Sequence, residues 1–282
     1  MSGTADFTIE DSMKLYAPLF LLTAFTSVTA CSTQVVVNDR GRSFPAYDNM
    51  FYRSKPDTAS EGLVASNILY EGEIWPHGEN YGVLPGRSAF EALVRSHVAN
   101  PGPLVLDIEK LPLKGPPEVA RQHLEVLATL ADWAHAAAPG KVIGYYGTNT
   151  LSRVAPPDVS YARELARHVD AFFPSMYTFD DDRATWANRA QAMAAEAHSL
   201  GPGKPVYFYL WPQYHDGTPK QFAFIDAAYW TFQLESACQR GNGIVLWGPS
   251  KFEWNDTTGW WEATKQFAHA LRTDPARCRV RS

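Results

Sequence analysis

Short, continuous apolar runs recur along this chain, and helical stretches separate them. The clearest runs are Asn67-Ile68-Leu69-Tyr70, Leu104-Val105-Leu106-Asp107, Val142-Ile143-Gly144-Tyr145-Tyr146, Ala171-Phe172-Phe173, Val206-Tyr207-Phe208-Tyr209 and Ile244-Val245-Leu246-Trp247. A weaker run over Asp48 to Tyr52 reads as a first strand. Continuous rather than alternating hydrophobicity is the pattern of strands buried on both faces of a parallel sheet. Helical patterns over Ser88 to Val98, Glu118 to Ala138, Tyr161 to His168, Ala184 to Ser199, Ile225 to Arg240 and Trp260 to Leu271 fill the intervals. Several end in Gly or Pro, as at Pro139-Gly140 and Gly201-Pro202-Gly203. This repeat over residues 44–275 predicts one α/β domain: a TIM-like (β/α) barrel, seven-stranded or distorted, with an open doubly wound sheet as the alternative.

Net charge and motif content narrow the function classes. The net charge of −5 comes without any basic run, which argues against a nucleic-acid partner. No Gly-rich phosphate loop follows a strand, and no clustered His/Cys pattern occurs, so neither a cofactor nor a metal is expected. Nothing in the sequence specifies an oligomeric state.

The N-terminal segment reads as an address. Lys14 precedes the apolar run Leu15 to Phe25, followed by small residues, the layout of a secretory signal peptide over residues 13–30. Residues 1–12 read as an upstream extension. The run is short for a membrane span. It ends in Val28-Thr29-Ala30-Cys31, which resembles the lipobox of bacterial lipoproteins. That resemblance implies lipidation of Cys31, a membrane partner through the lipid, and, with Ser32 next, sorting to the outer membrane of a bacterial envelope. Three acids and one lysine lie within residues 1–30, so the mature chain would carry −3. Residues 31–43 read as a tether and 276–282 as a tail. Cys238 and Cys278 could pair in an oxidising compartment, a cross-link worth roughly 4 kcal/mol by chain entropy.

The chemistry concentrates at strand ends. Asp107 and Glu109 follow Leu104-Val105-Leu106 and, two residues apart, share one face. The carboxyl ends of barrel strands build active sites. Two carboxylates held close cannot both ionise easily, so one becomes a proton donor near neutral pH while the other stays anionic. The other strand ends are aromatic and polar: Tyr145-Tyr146-Gly147-Thr148-Asn149, Pro174-Ser175-Met176-Tyr177, Tyr209-Leu210-Trp211-Pro212-Gln213-Tyr214 and Trp247-Gly248-Pro249-Ser250. Tyr and Trp around two acids suit a sugar, which offers apolar ring faces and hydroxyls.

Taken in order, Asp107-Ile108-Glu109, Pro174-Ser175-Met176-Tyr177, Pro205-Val206-Tyr207-Phe208-Tyr209 and Gly243 to Gly248 resemble motifs of the animal and venom hyaluronidase family of glycoside hydrolases. The resemblance spans residues 65–255. It implies retaining, substrate-assisted hydrolysis of an N-acetylhexosamine polysaccharide, with Glu109 protonating the leaving oxygen. By the same resemblance Asp107 and Tyr177 would steer the acetamido group and Tyr209 and Trp247 would shape the sugar pocket, while Tyr145 and Trp211, from the strand-end aromatics, are further candidates for binding the sugar. Ile108 and Lys110-Leu111-Pro112 depart from the family pattern. The acid strand also resembles that of bacterial and phage muramidases, whose early catalytic Asp would have to be Asp48. A glycan-binding lipoprotein without activity, or a structural envelope lipoprotein with a relic site, is the alternative to an enzyme.

Simpler readings suffice elsewhere. His77 reads as a loop histidine, His215-Asp216 as a solvated turn, Asp180-Asp181-Asp182 as a charged turn, and Trp254, Trp260 and Trp261 as packing.

Overall fold

The computed structural model describes residues 44–76, 81–147, 159–274 and 276–278. The signal segment, Cys31, the tether, His77, Thr148-Asn149 and the last residues of the tail lie outside the described residues.

Strands β1 (Ala46–Met50), β2 (Val64–Ala65), β3 (Asn67–Tyr70), β4 (Leu104–Asp107), β5 (Ile143–Tyr145), β6 (Tyr207–Leu210) and β7 (Gly243–Gly248) pair only in parallel. They form one sheet ordered β2-β1-β7-β6 and another ordered β3-β4-β5. Two links join these sheets. Only Ser66 separates β2 from β3, and its N–H donates to the Asp48 carbonyl at 2.9 Å. On the other side the segment from Phe172 to Ser175 bridges Tyr146 of the β5 end through Phe173, and β6 through Phe172–Val206 and Ser175–Tyr209. With β2 and β3 counted as one and Phe172–Ser175 included, seven parallel segments therefore follow one another around a ring that returns to β1, as expected of a barrel.

The strand expected over Ala171 to Phe173 is present only as these bridges. Pro174 has no N–H to give the ladder, although its carbonyl still accepts from Tyr209. The first strand begins at Ala46, two residues before its expected start. Its interior Asp48-Asn49 dilutes the apolar signal that marks the other strands. Helices α2 (Arg87–His97), α3 (Pro117–Ala137), α4 (Val159–Leu165), α5 (Arg183–Leu200), α6 (Ala227–Arg240) and α7 (Trp260–Thr273) match the helical patterns. The single turn α1 (Glu71–Ile74) and β2 are too short for periodicity to reveal.

Alternation divides each strand between helices and barrel interior. Leu104, Leu106, Ile143 and Tyr145 face α2 and α3, in a cluster with Phe90, Val94, Leu127 and Leu130. Val105, Phe173, Tyr207 and Val245 take the alternate positions. Tyr207 meets Phe173 and Tyr47 at ring separations of 5.5 Å. A Cβ on Gly144 would lie 2.7 Å from the Phe173 ring, so only glycine fits there. Each fully buried large apolar side chain contributes roughly 1.5–3 kcal/mol.

Cys238 on α6 and Cys278 form a disulfide, with Cα atoms 4.7 Å apart and a sequence separation of 40. Closing that loop is worth about 4 kcal/mol in the chain-entropy picture. Among the described residues no helix is long and apolar enough to cross a membrane.

Candidate active site

Asp107 is the last residue of β4 and shares the interior face with Val105. Its carboxylate is largely withdrawn from water, and Oδ1 has no hydrogen-bond partner. Burial, then the charges of Glu109 and Glu71, push its pKa from 3.8 up to about 7. Glu109 stands at the exposed rim. Partial desolvation and Glu71 raise its pKa as well, against the opposing charges of Lys110 and His215. Near neutral pH the pair retains a proton.

Aromatic side chains from the neighbouring strand ends enclose these acids. Tyr177 stacks on Trp247, with centroids 5.6 Å apart and planes at 24°. Trp211 meets both rings edge-on, at 5.5 Å from Tyr177 and 5.1 Å from Trp247. The Trp247 indole N–H donates to the Tyr70 hydroxyl at 3.1 Å. Tyr146 packs against Tyr209 at 5.1 Å and donates its hydroxyl to Ser175 Oγ at 3.0 Å. Asn49 Nδ2 donates to the Tyr209 hydroxyl at 2.7 Å. Burial raises the pKa of Tyr70, Tyr146, Tyr177 and Tyr209, and the negative charge of Asp107 adds to each. Asp107 thus sits within a ring of neutral phenols.

The structure brings Asp107, Glu109, Tyr177, Tyr209, Trp211 and Trp247 together at the carboxyl ends of the strands. Trp211 is buried, and its N–H is engaged by the Tyr52 hydroxyl and Gln213 Oε1, both at 3.0 Å. Tyr145 does not join the group and is a correction. Its ring is buried against α3, and its hydroxyl donates to the Leu127 carbonyl at 2.6 Å. Tyr146 holds the interior position instead, because a shift of one residue reverses the face of a strand. The signal was Gly144, two residues earlier on the crowded interior face.

Tyr70, Asn49, Ser175 and Glu71 also belong to this group and were not singled out from sequence. Glu71 Oε2 accepts the backbone N–H groups of Glu109 at 2.9 Å and Lys110 at 3.0 Å. His215 is no free turn residue: its ring lies 4.8 Å from Phe179 and 5.8 Å from Tyr177, at the site's edge. Asp181 binds Lys220 and the Tyr214 hydroxyl, and Asp182 caps α5, so this acidic run is committed to structure. Trp254, Trp260 and Trp261 pack on one another at 4.8–5.7 Å. Asp48, which the muramidase resemblance requires, lies on the face of β1 opposite Asn49 and pairs with Lys55 at 2.6 Å.

No protein-family model and no curated protein matches the chain. Solved structures do. A crystal structure of bee venom hyaluronidase overlays with a TM-score of 0.58 at 15% identity, covering 84% of this chain and 100% of its own. A second crystal structure of that enzyme, in complex with a hyaluronic acid tetramer, gives a TM-score of 0.57 at 15% identity, covering 84% and 99%. At this identity the likeness is one of fold. The chain shares the parallel α/β barrel-like fold of these structures.

Proposed function

We propose that the protein is a glycoside hydrolase of the hyaluronidase-like, substrate-assisted kind, cleaving a polysaccharide that contains N-acetylhexosamine. The observation that carries this reading is the Asp107 carboxyl, withdrawn among four tyrosines with one oxygen unpartnered and the charge of Glu109, two residues along, acting on it. A buried acceptor without a donor is costly to the fold, so its retention calls for a donor from the substrate. The acetamido N–H of an N-acetylhexosamine supplies one.

The reaction then divides between the two acids. The proton that the pair holds rests on Glu109 once the Asp107 carboxylate accepts from the acetamido N–H, and Glu109 gives it to the glycosidic oxygen as the bond from that oxygen to the anomeric carbon breaks. The acetamido carbonyl oxygen bonds to the anomeric carbon, an exception to the two-carboxylate scheme. Asp107 accepts from the acetamido N–H and stabilises the positive charge of the cyclised group, and the Tyr177 hydroxyl orients that group. Water then opens the ring, returning a proton to Glu109 and retaining the anomeric configuration. Tyr146, Tyr209 and Trp247 form the apolar wall for the sugar.

A reducing-end assay on hyaluronan, chondroitin, chitin oligomers and peptidoglycan, with Glu109→Gln as control, tests the reading. We expect cleavage of at least one polymer by the wild type and none by the variant. Full activity in Glu109→Gln ends the assignment, and glycan binding without new reducing ends replaces the enzyme with a binding protein.

The sequence of the N-terminal segment further supports a proposal on location. We infer that Cys31 is lipidated and anchors the barrel to a bacterial envelope membrane, the outer one by the Ser32 rule. Cys31→Ser should move the protein from the membrane to the soluble fraction, and unchanged membrane recovery rejects the anchor.

A further inference from the structure

Strand β4 ends at Asp107, and the backbone beyond it leaves the ladder. The N–H groups of Glu109 and Lys110 therefore have no strand carbonyl to meet. They converge instead on one oxygen, Glu71 Oε2, at 2.9 and 3.0 Å. Two successive backbone N–H groups around an anion make a nest, and a charged acceptor makes both bonds stronger than neutral ones. The strand register places the acceptor: Tyr70 pairs with Asp107, so Glu71, the next residue, stands beside the segment that follows the acid strand. The other acid of this turn is committed elsewhere, since Glu73 accepts from the Tyr70 N–H and contacts His97 Nε2 at 2.9 Å.

We propose that Glu71 is a positioning residue for the acid pair, fixing the backbone from which Glu109 reaches the glycosidic oxygen and setting a third negative charge against both carboxyls. This rests on the hydrolase reading for its catalytic meaning. A tie made only to satisfy two N–H groups would work equally well with a neutral acceptor, and the charge separates the two roles. Glu71 raises the pKa of both Asp107 and Glu109. The remaining groups that act on the pair are Lys110 on its own segment, Tyr70 beside Glu71, Tyr146, Tyr177 and Tyr209 across the barrel, and His215 at the rim. Of these only Lys110 and His215 oppose Glu71 at Glu109.

Glu71→Gln and Glu71→Ala in the whole protein separate charge from geometry. The glutamine keeps an acceptor oxygen and loses the charge. Carboxyl-carbon NMR titration should show the midpoints of Asp107 and Glu109 both lower than in the wild type, and the alkaline limb of kcat should move to lower pH with them. In Glu71→Ala the amides of Glu109 and Lys110 should exchange with solvent about tenfold faster, and kcat should fall about 10- to 100-fold with KM nearly unchanged. Unchanged midpoints in Glu71→Gln, or unchanged exchange at both amides in Glu71→Ala, overturns the proposal. If the alanine variant does not fold, the glutamine titration decides. Both NMR readouts need no substrate, so a wild type that cuts no polymer defeats the hydrolase reading while the positioning of the pair is still decided.

Discussion

Two strand aspartates, Asp48 on β1 and Asp107 on β4, are both withdrawn from water, yet their surroundings differ in kind. Asp48 is 7% exposed, with Lys55 Nζ at 2.6 Å and the Thr58 hydroxyl on Oδ2 and the Met50 N–H on Oδ1 at 2.9 Å. Its charge is balanced and both oxygens are occupied. Asp107 has an unpartnered oxygen, two further carboxylates acting on it and no cation among those influences. A buried carboxylate is therefore no sign of catalysis in itself. What distinguishes the second is the missing donor and cation, a deficit that a substrate can fill and that the fold tolerates at its own expense.

The largest effect expected from breaking this contrast is on activity. Glu109→Gln removes the proton donor and nothing that holds the barrel together. Cleavage should fall by about 10²- to 10⁴-fold, with the unfolding midpoint and glycan affinity close to wild type. Steady-state reducing-end assays beside a thermal melt check both halves.

Next comes the structural aspartate. Asp48→Ala leaves Lys55, itself 25% exposed at the side chain, and the Thr58 hydroxyl without their shared partner. Stability should drop by about 2–4 kcal/mol, measured by urea unfolding, with activity per folded molecule retained. A large loss of kcat at unchanged stability would erase the distinction between the two aspartates.

Asp107→Asn should act in the opposite sense on the fold. The folded protein holds a proton on Asp107 up to about pH 7, against an ordinary carboxyl at 3.8. Between those values the folded state binds more protons than the unfolded chain, so stability falls as pH rises through that window. Below about pH 4 both states are protonated and no penalty exists. The asparagine removes the ionisation, so it should stabilise by about 1–3 kcal/mol at pH 8, a full shift discounted for the solvent that still reaches the side chain, with no gain at pH 3.5. Urea unfolding at the two pH values checks the sign, and a variant less stable than wild type at pH 8 refutes it. Activity should fall despite the gain.

How much of this was legible in the sequence depended on whether a residue's role is local. Parallel strands covered on both faces leave uninterrupted apolar runs, so β3, β4, β6 and β7 stand out. The segment around Pro174 and the two-residue β2 carry too few ladder bonds or residues to leave a pattern. Asp107, Glu109, Tyr209 and Trp247 followed from strand ends and a period of two. Glu71 could not, because its role arises across strands, from the register that sets Tyr70 beside Asp107. Nothing within its own turn marks it as different from Glu73.

Tyr145 and Tyr146 extend the same contrast to the smallest scale. They are adjacent and aromatic, the first buried and the second half-buried, and strand alternation sends them to opposite sides. Tyr145 holds α3 through the Leu127 carbonyl, while Tyr146 lies between Tyr177 and Tyr209 with its hydroxyl on Ser175. Tyr145→Phe removes a second hydrogen bond to a carbonyl that the α3 ladder already engages, lowering stability by about 1 kcal/mol with kcat/KM unchanged. Tyr146→Phe frees the Ser175 hydroxyl within the acid site. Its effect should fall on kcat/KM, by several-fold, with a stability change below about 1 kcal/mol. Parallel melts and reducing-end assays on the two variants decide the matter, and equal loss of activity in both would mean that the face of β5 is not what assigns their roles.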